Sequence, residues 1–320
     1  MKKLLVFFSM MAMVAVISIN LTSCEDDVEP VAVPTVRLQA DIDPEDQYTV
    51  ILAVQETDAA FYAWDYGNGE TSTTNGAHTY TYAASGDYTV SVTVTNESGS
   101  ATATEDVTIN PSIEEMLAGV DAEGKSWVMT QTPQANDGAG PLHQTDFNIT
   151  LPFALVPNGD ALAYVGFPDE YDNVFIFKPD GSYSVDNGNG QTLCTQIFAY
   201  VNTGGAAPGD GWTKGELGFA TMPWTIESNA TWAVDEDATI ALDVMSDDPS
   251  TATDYTPMSV SYEGITQVTI TGGYFGMLDM TNYVIIENIT PDEMQIVLIM
   301  HTEIPDIQSI FTRITLIPQL

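Results

Sequence analysis

The chain has 320 residues, 45 of them acidic and only seven basic, for a formal charge of −38 at pH 7. That balance excludes nucleic acid as a partner, because nucleic acid is held through Lys and Arg, and it excludes unaided attachment to an anionic membrane surface. Acidity does not mean disorder here: 44% of the residues are hydrophobic and 10% aromatic, enough to build packed cores in about two domains.

Lys2 and Lys3 precede a run, Leu4–Ile19, that is apolar apart from serine. This is the layout of a secretory signal, and the run is shorter than the ~20 apolar residues of a membrane span. The following Leu21-Thr22-Ser23-Cys24 resembles the lipobox of bacterial lipoproteins. The resemblance implies a signal peptide over residues 1–23, cleavage before Cys24 and a lipid on that cysteine. Glu25, Asp26, Asp27 and Glu29 come next, resembling the acidic export signal of Bacteroidota lipoproteins displayed on the outer face of the outer membrane. A solvated acidic tether over residues 24–34, closed by Pro30 and Pro34, reads the same residues without an address. After cleavage the only basic residues are Arg37, Lys125, Lys178, Lys214 and Arg313.

From residue 35 to 110 the pattern alternates with period two, as in Tyr88–Val94, and Gly-containing turns interrupt it at Gly67-Asn68-Gly69, Asn75-Gly76 and Ser98-Gly99. Short strands at such spacing predict a β-sandwich. Phe61-Tyr62-Ala63-Trp64-Asp65-Tyr66-Gly67-Asn68-Gly69, His78-Thr79-Tyr80 and Gly86–Asn96 resemble, in order and spacing, the signature of PKD domains. The resemblance implies an immunoglobulin-like sandwich used as a spacer or adhesion module. Trp64, mid-strand, reads as core.

Asn110-Pro111-Ser112 ends this pattern, and Ser112-Ile113-Glu114-Glu115 is a capping box that predicts a short helix ending near Gly119. Residues 111–320 are again strand-like. Strands are predicted at Val174–Phe177 and Ser182–Val185, joined through Lys178-Pro179-Asp180-Gly181, where Pro sets φ and Gly accepts φ > 0. More follow at Ala230–Val234, Ala238–Val244, Val268–Thr271, Tyr283–Ile289, Met294–Met300 and Ile310–Pro318. The fold class is all-β: the PKD sandwich followed by a larger jelly-roll-like sandwich. Lys125-Ser126-Trp127-Val128, Tyr171–Phe177, Pro179–Tyr183 and Tyr283-Val284-Ile285 with Thr290–Met294 resemble, in that order, the C-terminal domain of PKD-containing Bacteroidota surface lipoproteins of the SusE-like, glycan-binding type. That resemblance implies polysaccharide binding beside a glycan-uptake porin complex.

No Gly-x-Ser-x-Gly, His-Glu-x-x-His, P-loop or Rossmann pattern occurs, nor the paired-carboxylate run of jelly-roll glycosidases. Cys194 stands alone and reads as a small buried hydrophobe in a strand. For sugar stacking the candidates are Trp212, at the end of the Gly-rich loop Gly204–Gly211, and Trp224, after Met222-Pro223; plain packing is the competing reading for both. Trp127 and Trp232 read as strand core. Asp169, Glu170 and Asp172 offer oxygens to a structural calcium ion, or form a solvated acidic turn. Three functions fit: a non-catalytic polysaccharide binder, a glycosidase or lyase with an unrecognised site, and a structural or protein-binding surface module.

Overall fold

A computed structural model describes residues 31–142, 147, 149, 151–156, 159–245, 257–301 and 308–319. Cys24, the signal segment and the acidic run Glu25–Glu29 lie outside the described residues. The chain divides into two compact units: one runs to Tyr82 and adds Asp87–Ile109, the other comprises Ala83–Gly86 and the chain from Asn110 onward.

Among the described residues the first unit has seven strands: β1 (Thr35–Asp43), β2 (Asp46–Thr57), β3 (Phe61–Asp65), β4 (Thr71–Ser72), β5 (His78–Thr81), β6 (Gly86–Asn96) and β7 (Gly99–Ile109). They form two sheets, ordered β1-β2-β5 and β4-β3-β6-β7. The alternation does the work: Val90, Val92 and Val94 of β6 point inward and are fully buried, as are Val50 and Leu52 of β2. Trp64 is 2% exposed in this core and its Nε1 donates to the Thr74 carbonyl at 2.9 Å. Gly67 has φ +79°, and a Cβ there would come within 2.7 Å of the Thr89 carbonyl oxygen, so the turn after Trp-Asp-Tyr admits only glycine.

In the second unit, helix α1 (Ile113–Ala118) starts as its capping box predicts. Ser112 Oγ accepts from the Glu115 N–H at 3.1 Å, and Gly119 closes the helix at φ 68°. The strands are β8 (Lys125–Met129), β9 (Gly138–Pro141), β10 (Leu151–Pro152), β11 (Val174–Phe177), β12 (Tyr183–Asp186), β13 (Gln191–Thr195), β14 (Thr213–Lys214), β15 (Phe219–Pro223), β16 (Thr231–Met245), β17 (Pro257–Thr271), β18 (Met280–Ile289), β19 (Met294–His301) and β20 (Gln308–Pro318). Two further helices, α2 (Ala161–Val165) and α3 (Gln196–Asn202), are short, and the sequence does not announce them. Both start on a side-chain cap, Asp160 and Thr195 respectively.

The all-β class holds, and the strand order refines it. The main sheet runs β12-β11-β8-β20-β19-β18-β17-β16, with β9 and β10 attached beside β20. Every pairing is antiparallel. β16 to β20 pair in sequence order, and β11–β12 is the hairpin expected around Gly181 (φ +81°). One long-range join links the two groups: β20 takes β8 along Leu316–Pro318 and β9 along Ile310–Arg313. The far ends of the sheet also meet, through the bridge Ser182–Thr231 and the bonds Tyr183 N to Ala230 O and Trp232 N to Gly181 O, both 2.9 Å. The layers of this sandwich are thus two sides of one sheet curled onto itself.

Alternate residues of the sheet face two cores. Val284, Ile286, Ile296 and Leu298 point inward to the larger one with Trp127, Phe175, Phe177 and Trp232. Ile285, Val297, Ile299 and Phe311 face the other way, against Ile240, Leu242, Val260 and Tyr262. The last four belong to the β16–β17 hairpin, which lies against β20 as well as its own sheet neighbour. A register shift between Asp235 and Ala238, opposite Gly264 at φ +65°, is a bulge that bends the hairpin over the outer face. The sequence suggests two strands separated by an acidic loop at Asp235–Asp237; the structure has one bulged strand. Burial on both faces explains the unbroken apolar runs of β18 and β19.

Trp127 is the side chain on which the inner core is built. It has no solvent exposure, its Nε1 donates to Leu117 O at 2.8 Å, and Lys125 Nζ sits 4.2 Å from its ring centroid. Trp127→Ala is expected to cost about 3–5 kcal/mol of stability in denaturant unfolding; a loss under about 1 kcal/mol would show that the ring is not central to the core.

Candidate binding site

Strands β19, β20, β8 and β9 form one wall of a cavity of about 940 Å³ inside the second unit. From this wall Met129, Ala139, Leu298, Met300, Thr312 and Ile314 reach the cavity. The opposite wall is everything the main sheet does not use. It comprises the turn Phe153–Leu155, helix α2, the first turn of α3 and the loop before β15, through Leu155, Leu162, Ile197 and Leu217. The small sheet β13-β15-β14 backs this second wall. Of the large apolar side chains left exposed in the chain, Leu151, Leu155, Tyr164, Ile197, Leu217 and Ile310 all line this one cavity. A soluble surface rarely gathers so much apolar area without a use for it.

Polar groups in the lining are few and mostly neutral: Thr130, Thr195, Gln196, Thr312 and Thr315, with the carboxylate of Asp137. Asp137 is 3% exposed. Its oxygens accept from Thr315 Oγ1 at 2.8 Å and from the Gln134 N–H at 2.9 Å. Burial raises its pKa above the ordinary value, and these bonds work against the rise.

The sequence-selected residues do not converge on this cavity. Trp212 is not a surface platform: it is 6% exposed and packs with Cys194, Ala199, Ala220 and Met222. Gly209 and Gly211, at φ +97° and +98°, turn the loop back, so that Nε1 donates to Ala206 O at 2.9 Å and the ring covers the small sheet. Trp224 keeps 38% of its surface exposed, with its ring centroid 6.3 Å from that of Phe198. Cys194 is buried and free, its thiol pushed up to about 12 by burial, as befits packing. Trp232, at 8% exposure, is core as expected.

Asp169, Glu170 and Asp172 are not brought together. They occupy the 3-10 turn Pro168–Asp172, which leaves Asp169 and Asp172 exposed and turns Glu170 inward to 2% exposure. Among the described residues no group of three or more His, Cys, Asp or Glu could hold a metal ion. Glu170 Oε2 instead accepts from Asn173 Nδ2 at 2.7 Å and the Leu193 N–H at 3.1 Å, tying the turn to β13. Asn173, itself buried, is the donor this carboxylate requires; an aspartate in its place would set two buried acids side by side.

The cavity is what sequence reading misses. Its lining comes from more than ten separate segments, and each residue alone reads as ordinary core. No local pattern marks it: Leu151 and Leu155 lie in the apolar run 151–156 and Ile197 opens another, 197–201, and their exposure shows only in the structure.

With the geometry in hand, the comparisons are informative for one unit. The family model for the PKD domain matches residues 36–109. Residues 36–109 are a PKD domain. Two solved structures are similar to part of the chain: the PKD1 domain of the Vibrio cholerae metalloprotease PrtV, at 30% identity over 99% of that chain and 25% of this one, TM-score 0.22, and the PKD1 domain of Vibrio anguillarum Epp, at 29% identity over 98% and 25%, TM-score 0.23. A third, described as a carbohydrate-binding module of the β-sandwich superfamily with promiscuous specificity, is 14% identical, covers 91% of this chain and 93% of that one, and superposes with a TM-score of 0.24. So loose a likeness transfers no ligand to this chain. No curated protein matches the chain.

Burial raises the Glu170 pKa from 4.5 to about 7. The folded state then holds a proton that the unfolded chain has released, so this group's contribution to stability is full below about pH 4.5 and is lost as pH rises towards about 7. Glu170→Gln, which keeps an acceptor for Asn173 and Leu193, is expected to flatten that decline in unfolding measured at pH 5 and pH 7.5. An unchanged pH slope would show that Glu170 is ionised throughout this range.

Proposed function

We propose that this chain is a non-catalytic binding protein of the bacterial cell surface, anchored by lipid on Cys24, with the PKD domain as spacer and the second unit as the ligand carrier. The observation that carries the binding role is the cavity of about 940 Å³. It lies within the size range of small-molecule sites, and its lining is apolar with a few convergent polar groups. An apolar ligand there would cover the exposed leucine and isoleucine side chains and gain about 25 cal/mol per Å² of apolar surface removed from water. The neutral fluorophore N-phenyl-1-naphthylamine should bind the chain from Glu25 onward. Ala139→Trp, which places an indole in the cavity from β9, should weaken it at least tenfold without lowering the melting temperature. No fluorophore binding, or equal binding in the variant, would contradict the reading.

A second reading is supported by Trp224, whose half-open ring beside Phe198 offers a face to a sugar. On this reading the outer surface binds extracellular polysaccharide as an accessory to a glycan-uptake porin. Retardation in gels containing plant or algal polysaccharides should weaken in Trp224→Ala by about 1–3 kcal/mol, the scale of one stacked aromatic. Retardation that survives the substitution would remove Trp224 from any such site.

A further inference from the structure

Resting on the cavity reading above, we propose that the cavity selects an uncharged ligand: an extended, lipid-like molecule with one neutral hydroxyl, ester or carbonyl end, and not a fatty acid or a phospholipid. The argument is an account of every Lys and Arg the chain offers after the signal segment. After the signal segment there are five Lys and Arg residues, and none lines the cavity. Arg37 belongs to the PKD unit. Lys125 is held elsewhere, donating to Met116 O at 2.9 Å and Pro291 O at 2.7 Å. Lys178 sits in the turn after β11, and Lys214 is exposed on β14. Arg313 lies on β20 between Thr312 and Ile314, which both line the cavity; strand alternation turns it to the other face, where it pairs with Glu287.

A carboxylate or phosphate entering this cavity would therefore lose its water and find no Lys or Arg counter-ion among the described lining residues, the costliest form of polar burial. It would also approach a chain of net charge −38 and meet the wall carboxylate of Asp137. A cationic ligand is not called for either, because Asp137 already accepts from Thr315 and Gln134. What the wall does offer is the Thr312 hydroxyl, the hydroxyl proton of Thr195, whose oxygen caps α3, and the Gln196 amide oxygen, whose NH2 group already donates to Gly215 O and Phe219 O, sufficient for one neutral polar end.

The test uses two ligands of equal length, 1-dodecanol and dodecanoate, displacing bound N-phenyl-1-naphthylamine from the chain beginning at Glu25. At pH 8 the acid is ionised. Dodecanol is expected to displace the probe at a concentration at least tenfold below that of dodecanoate. Thr312→Lys, which puts a cation into the wall, is expected to narrow or reverse that ratio. Equal displacement by the two in the wild type would overturn neutral selection while leaving the cavity reading intact. A ratio unmoved by a folded Thr312→Lys would likewise overturn the charge argument. If the probe does not bind at all, the cavity reading fails first, and this proposal with it.

Discussion

The second unit depends on closing one sheet. Its strands come in two groups that sequence order alone would leave apart: β8, β11 and β12 near the start, and the run β16 to β20 at the end. Pairing β20 with β8 joins them on one side, and the Ser182–Thr231 bridge joins them on the other. The second join covers only the start of β16, which beyond Trp232 pairs with β17 alone. Closure fixes an interior, which Trp127, Phe175, Phe177, Tyr183 and Trp232 fill at one end. At the other end the wall is Met129, Ala139, Leu298, Met300, Thr312 and Ile314, and the segments outside the sheet stand across the gap and do not fill it.

The extreme acidity and the apolar interior are complementary. With so few cations, ion pairs are not where stability lies, and exposed pairs contribute little in any case. Stability comes from burial on both faces of β18 and β19 and from the bent β16–β17 hairpin that covers the outer one. The few cations are placed where they complete packing. Lys125 lies over Trp127, and Arg313 caps the outer face beside Glu287. An apolar cavity in a strongly anionic shell discriminates by charge before it discriminates by shape.

Much of the fold is legible in the residues, and its limits are instructive. The PKD unit is readable because its turns need glycine at particular places, as Gly67 shows, and its strands alternate cleanly. The Ser112 cap and the Pro-Asp-Gly hairpin are local chemistry and appear where expected. What local chemistry does not reveal is long-range pairing. Nothing in Leu316-Ile317-Pro318 says that it meets Trp127-Val128-Met129. The same limit explains Trp212: glycines on its N-terminal side suggest an exposed tip, but whether such a loop projects or folds back is decided by the small sheet beneath it. Asp169, Glu170 and Asp172 are adjacent in sequence, yet a 3-10 turn sends the middle carboxylate inward, so adjacency in sequence does not make a ligand set. The cavity belongs to the same class, since an absence of side-chain volume is visible only once the sheet has closed.

The central claim is that the second unit carries an apolar chamber able to take a ligand between the closed sheet and the segments facing it. Methyl NMR of the methionines tests this most directly, because Met129, Met277 and Met300 line the chamber, whereas Met116 lies on α1 and Met222 beneath Trp212. Titration with 1-dodecanol is predicted to shift the first three methyl signals together, in a saturable manner, and to leave Met116 and Met222 in place. Shifts spread evenly over all five, or confined to Met116 and Met222, would contradict the account.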